Sequence, residues 1–169
     1  MQISIGIDQS FTSTAVVIVD AKDDRYLDSC IISTKKVKDD RLDKIYRARY
    51  ISDQLISFIN QISKEYDATI QRVNIEGIGF GARGNVTRDL AGLQYMMIDA
   101  IINRLDTNPG VIAPTSLKKF ATGKGNADKA SVMDATPEYL KLVFLRTYKK
   151  ASLNDFCDAY WLCKMDSVL

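Results

Sequence analysis

An α/β fold, a mixed sheet covered on both faces by helices, is predicted by three features of the sequence. Strand-like apolar runs crowd its first 33 residues, and the apolar period then becomes helical over residues 41–66. Two further short apolar runs alternate with helical stretches towards the end. The 169 residues suffice for one domain, in which a chain of this size buries roughly 70% of its unfolded surface.

The elements follow in order. Gln2 to Asp8 alternates Ile3, Ile5 and Ile7 with small or polar residues, the period of a strand. Thr14 to Val19 is a second β-branched run and Tyr26 to Ser33 a third, with the acidic AKDD as the hairpin connection between them. From Arg41 to Tyr66, Leu42, Ile45, Ile51, Leu55, Ile56, Ile59 and Ile62 recur at helical spacing, with a basic outer face at the start. Val73 to Glu76 reads as a buried strand running into the glycine loop GIGFGARGN. Thr87 to Leu105 is a second helix, with Asn85 or Thr87 as its N-cap, and Gly110 to Ala113 a brief strand closed by Pro114. TSLKKFATGKGNADK is a lysine- and glycine-rich loop with room for a short helix. Two helical pieces follow, parted near Pro137, and SLNDFCDAYWLCKM begins a last helix where Ser152 and Asp155 have capping-box spacing. Trp161, Tyr160 and Cys163 read as core. No repeat, linker or low-complexity tract interrupts the chain.

Composition narrows the chemistry. Histidine is absent and cysteines number three (Cys30, Cys157, Cys163). Cys/His zinc sites, histidine bases and Ser–His–Asp or Cys–His catalysis are thereby excluded, as is any framework pairing every cysteine. An enzyme of this composition must work through carboxylates, lysines, hydroxyls and metal ions. The three cysteines need no function in a reducing cytoplasm, the expected location, since neither an export signal nor a membrane span is visible. Net charge is only +2, but residues 35–50 hold seven Lys/Arg against three Asp, and residues 114–150 eight against three Asp/Glu. Such clusters suit a phosphate backbone; solvated helix faces are the plainer alternative.

Four acids stand where apolar packing should dominate. Asp8 closes the first strand and Glu76 a central one; Asp155 and Asp158 lie three apart on the last helix, hence on one face. Each alone has an ordinary explanation: a turn cap for Asp8, an Arg83 partner for Glu76, a helix-terminal charge for Asp155. Together, if strand ends and helix start converge, their mutual repulsion must be relieved by protons or divalent cations. All-oxygen ligation suits Mg²⁺ or Mn²⁺, and two such ions can activate water and stabilise the leaving oxygen of a phosphodiester.

The basic loops fit the same substrate. Glycines 123 and 125 allow a close backbone approach to DNA phosphates, with Lys118, Lys119, Lys124 and Lys129 supplying charge. In GARGNVTR, Arg83 and Arg88 beside Phe80 suit backbone contacts plus stacking on an opened base. TGKG lacks the rest of a nucleotide-binding phosphate loop, so no nucleotide cofactor is expected. The helix carrying Met96 and Met97 is apolar on more than one face, which suits a dimer interface as well as core.

The stretches IGIDQSFTSTAVVI, VNIEGIGFGARGN with LAGLQYMMIDAI, VIAPTSLKKFATGKGNADKASV and NDFCDAYWL together resemble RuvC-family Holliday junction resolvases of the compact bacteriophage type, in the RNase H-like superfamily. That resemblance implies an RNase H-like five-stranded mixed sheet flanked by helices across residues 1–169. It makes Asp8, Glu76, Asp155 and Asp158 the metal-binding catalytic carboxylates, with two Mg²⁺ (or Mn²⁺) per site. It also implies Lys129, paired with Lys118 or Lys119, near the scissile phosphate. The implied protein is a homodimer in the host cytoplasm that nicks opposed strands of a four-way DNA junction, with no membrane partner. Two motif positions depart from the family: Asp8-Gln9-Ser10 replaces the frequent Asp-Pro-Gly, and Gly79 stands where an aromatic is usual, with Phe80 next to it. Three other functions share these features: an RNase H-like nuclease on other branched or RNA-containing substrates, a non-catalytic branched-DNA binder, and an actin-like ATPase, for which the chain is short and lacks a second phosphate motif.

Overall fold

A computed structural model describes residues 1–37, 41–79 and 84–166. Its strands are β1 (Gln2–Asp8), β2 (Thr14–Asp20), β3 (Tyr26–Ile32), β4 (Thr69–Glu76) and β5 (Gly110–Ile112). Six α-helices are seen among the described residues: α1 (Asp43–Glu65), α2 (Asn85–Leu105), α3 (Pro114–Thr122), α4 (Lys129–Ala135), α5 (Glu138–Thr147) and α6 (Leu153–Lys164). The sheet runs β3-β2-β1-β4-β5. β1, β2 and β3 are antiparallel neighbours, whereas β4 lies parallel to β1 and β5 parallel to β4. This is the mixed five-stranded α/β architecture anticipated above.

The period-2 pattern sorts the sheet's side chains onto two faces. Ile3, Ile5, Ile7, Val16, Ile18, Val73 and Ile75 pack with Ile51, Leu55, Ile59 and Ile62 of α1 and Leu93, Met97 and Ile101 of α2. On the other face Ala15, Val17 and Val19 meet Phe144 of α5 and Phe156, Cys157, Tyr160 and Cys163 of α6. No helix among the described residues is long and apolar enough to cross a membrane.

α6 is placed along its whole length. At its middle it crosses β1 at Gly6, where a Cβ would lie 1.9 Å from the Ala159 carbonyl oxygen. Only glycine permits that approach. At its C-terminus, buried Asn74 of β4 donates through Nδ2 to the carbonyls of Leu162 (2.9 Å), which also accepts from the Met165 amide at 3.3 Å, and of Met165 (2.7 Å). The N-terminus of α6 is thereby carried to the C-terminal ends of β1 and β4.

In TSLKKFATGKGNADK the short helix allowed for is present as α3, so that expectation holds: Pro114 occupies its first turn, and Gly123 closes it in the left-handed conformation (φ 80°). Several local expectations are corrected. β4 begins four residues earlier than Val73. Its polar start, Thr69 to Arg72, pairs with β1 alone because the three-residue β5 reaches only Asn74 to Glu76. Ser152 makes no side-chain cap, and neither Asn85 nor Thr87 caps α2, whose N-cap is Gly84. Leu42 and Ile45 are exposed, and the buried residues at that end of α1 are Asp43 and Arg47. Tyr160 and Cys163 are core, but Trp161 is half-buried and donates to the Thr136 hydroxyl at 3.0 Å.

Candidate active site

Asp8 ends β1 and Glu76 ends β4, two adjacent parallel strands whose C-terminal edges lie side by side. Asp155 and Asp158 occupy the first turns of α6, aimed at the same edge. All four carboxylates line one cavity of about 430 Å³, together with Lys118 of α3 and Lys129 of α4. Asp128 caps α4 by accepting from the Ser131 amide (2.8 Å) and hydroxyl (2.7 Å), which fixes Lys129 at the first helical position.

Crowding leaves its mark on the acids. Burial, then the charges of Glu76 and Asp155, hold the Asp8 carboxyl well above its usual range, and it shares a side-chain hydrogen bond with Glu76. Glu76 is also raised, by burial, although the Asp8 hydrogen bond and the Lys129 and Lys118 ammoniums oppose the shift. Asp155 is raised by burial against the pull of Lys129. Asp158 is pushed up to about 7, by burial first and the Glu76 charge second. Four acids sharing one cleft therefore hold their protons more tightly than they would in water.

The chemistry of this donor set fits hard divalent cations: carboxylate oxygens throughout, no softer ligand, and a repulsion that a cation would relieve. The carboxylates are not drawn into a tight chelate, since among the described residues no three acidic or cysteine side chains stand close enough to hold an ion as they are. The Asp8–Glu76 hydrogen bond is the contact that ligation would break.

The expected basic residues are divided. Lys118 and Lys129 reach the cavity, while Lys119 and Lys124 are exposed and outside its lining. Arg88 is exposed on α2, 3.7 Å from Asp89. Phe80 and Arg83 lie outside the described residues. Gln9 and Gln94, neither of them an expected site residue, donate to the Glu76 carbonyl at 2.8 and 3.3 Å and pin the backbone behind that acid. A glutamine amid the apolar residues of α2 was the available signal.

No protein-family model matches the chain, and no curated protein matches it. Among solved structures, RuvC of Thermus thermophilus matches with a TM-score of 0.68 at 15% identity, over 96% of this chain and 91% of that one. The T. thermophilus RuvC in complex with its Holliday junction substrate gives 0.66 at 16%, over 97% and 92%. At such identities the likeness is one of fold: the chain has the fold seen in RuvC.

Proposed function

We propose that this RuvC-fold chain is a Holliday junction resolvase: a divalent-metal-dependent endonuclease, one nuclease domain over residues 1–169, that cleaves four-way and other branched DNA. The observation that carries the reading is the convergence of Asp8, Glu76, Asp155, Asp158, Lys118 and Lys129 on a single cavity. The solved complex of T. thermophilus RuvC with a Holliday junction supports the choice of substrate.

Asp8, Glu76, Asp155 and Asp158 would hold the metal, two Mg²⁺ or Mn²⁺ ions in this reading. Bound there, such ions supply an activated water and charge stabilisation at the leaving oxygen. Lys118 and Lys129 face the non-bridging oxygens, whose negative charge grows in the transition state. Pro114, Leu117 and Val132 form an apolar wall that limits bulk water around the reacting phosphate. Gln9 and Gln94 keep Glu76 in register with Asp8. The products are a 5′-phosphate and a 3′-hydroxyl. Symmetric nicking needs two sites, and the exposed Val86, Tyr95 and Ile102 of α2 offer apolar surface for a homodimer.

The test is incubation of the purified protein with an immobile four-way junction, with and without Mg²⁺. Paired nicks that need Mg²⁺ and vanish in Asp8→Asn, with junction binding retained, are expected. Junction binding without nicking would leave an architectural protein, and preference for RNA–DNA hybrids would move the activity to another RNase H-like class.

A further inference from the structure

One wall of the carboxylate cavity is neither acidic nor basic. Ser10, Thr12 and Ser13 line it, from the loop that joins β1 to β2 directly after Asp8. The loop is closed on itself. Thr14 donates its hydroxyl to the Ser10 carbonyl (2.6 Å) and accepts from the Ser10 amide (3.2 Å). The Ser10 hydroxyl accepts from the Thr12 amide (3.2 Å) and lies 3.1 Å from the Thr12 hydroxyl.

Phe11 anchors the loop to the core and is only 7% exposed. Its carbonyl accepts from Arg47 Nη2 at 2.8 Å and from the Thr34 hydroxyl. The same guanidinium donates through Nε to Thr34 Oγ1 at 2.6 Å and pairs through Nη1 with Asp43 at 3.3 Å. Lys44 Nζ lies 4.3 Å and Arg47 Cζ 5.2 Å from the centroid of the Phe11 ring. Arg47 is buried, yet α1 contributes no residue to the cavity. A buried ion pair is weak evidence for stability, because desolvation offsets its attraction. What this guanidinium fixes is geometric: a planar fork gripping the backbone of one loop, a hydroxyl on β3's exit and a carboxylate on its own helix.

We propose that Ser10, Thr12 and Ser13 form a neutral seat for phosphate oxygens of the DNA strand entering the site, and that Arg47 is the positioning residue of that seat. The inference rests on the nuclease reading above. Its physical basis is the company the loop keeps. A strand drawn over four carboxylates needs donors for its phosphate oxygens. Lysines on every wall would pair with the acids and compete with metal for them. Hydroxyls donate to phosphate and leave the carboxylates free. Held by Thr14, Phe11 and Arg47, they are pre-organised, so little ordering cost falls on binding.

The experiment is steady-state nicking of an immobile four-way junction in Mg²⁺ by wild type, Thr12→Ala/Ser13→Ala and Arg47→Lys, with melting curves in EDTA and in Mg²⁺. The double variant keeps both Ser10–Thr14 bonds and the Thr12 amide bond to the Ser10 hydroxyl, and gives up the Ser13 hydroxyl and the exposed Thr12 hydroxyl with its contact to Ser10. It is expected to raise KM about tenfold with kcat within about twofold, since uniform binding is lost. Its melting temperature and its Mg²⁺-induced rise should stay those of wild type. Arg47→Lys keeps the charge but cannot grip three partners, and the same KM signature is expected at a temperature where it is folded. A merely structural role would lower the melting temperature and leave KM unchanged. Wild-type nicking with an unaltered KM in the double variant overturns the seat while sparing the nuclease reading. Absence of nicking in wild type overturns both.

Discussion

Gly6 of β1 and Ala159 of α6 lie so close that a Cβ on the glycine would sit 1.9 Å from the alanine's carbonyl oxygen. Backbone meets backbone there, so the helix cannot yield by turning a side chain. Gly6→Ala should force α6 off the sheet and carry Asp155 and Asp158 with it. A loss of about 3 kcal/mol in urea unfolding is expected, together with a diminished Mg²⁺-induced rise in melting temperature. Unchanged metal response in a folded Gly6→Ala protein would show that α6 is placed by other contacts.

Asn74 holds the far end of the same helix. Its Nδ2 bonds to Leu162 and Met165 are both made inside the fold. Asn74→Ala takes its donor from the Met165 carbonyl and leaves the Leu162 carbonyl with the Met165 amide alone, at a cost of about 2 kcal/mol. Asn74→Asp should be worse, because an acceptor replaces the donor. Chemical denaturation of the pair decides the ranking.

The acid cluster predicts an inverted pH profile for the metal-free protein. Asp8, Glu76, Asp155 and Asp158 all bind protons more tightly when folded, with Asp158 at about 7 against an ordinary 3.8. The native state therefore carries more protons than the unfolded chain between those limits, and stability falls as pH rises through them. Asp43 and Asp128, whose carboxyls are held below 3.8 by the Val37 amide and by Ser131 respectively, lose their contribution only at lower pH and do not offset this slope. In EDTA the melting temperature should climb as pH is lowered from about 8 to about 5. With Mg²⁺ present the trend should reverse, since ligation requires deprotonated carboxylates. A flat profile in EDTA would mean that burial and mutual charge do not raise the proton affinity of the acids as placed.

Removing one charge should stabilise the apo-protein while disabling it. Asp158→Asn keeps the side chain's shape and is expected to raise the metal-free melting temperature near pH 8 by roughly 5 °C. The same variant should lose the Mg²⁺-induced rise and all nicking. Gain of stability with retained metal response would remove Asp158 from the ligand set.

Lys129→Ala leaves the carboxylates in place but removes one ammonium group from the cavity they line. A fall in kcat of about 10–100-fold is expected, with a smaller change in KM. Lys119→Ala, outside the cavity, should leave kcat within twofold and only weaken junction binding at higher salt.

The sheet and its long helices were legible because their apolar periods are long and unambiguous: Ile3, Ile5 and Ile7 on β1, or Ile51 to Ile62 on α1. The acids were legible for the opposite reason, as charges placed at strand ends and in an apolar helix break the pattern around them. α3 was legible only as room for a short helix, because Leu117 is its only buried residue and it shows no stripe. Arg47 and Asn74 escaped because a polar residue whose partners are distant backbone carbonyls looks, in sequence, like any solvated one. Gln9 and the hydroxyls of residues 10–13 resembled turn chemistry, and they are also that.

The cleft is lopsided, with ammonium groups from α3 and α4 on one flank and serine and threonine on the other. A polynucleotide running 5′ to 3′ across it meets these flanks in one order, and its reverse meets them in the other. Two copies related by a twofold axis would thus each accept a strand of only one direction, so that the pair of cuts falls on chains of like polarity.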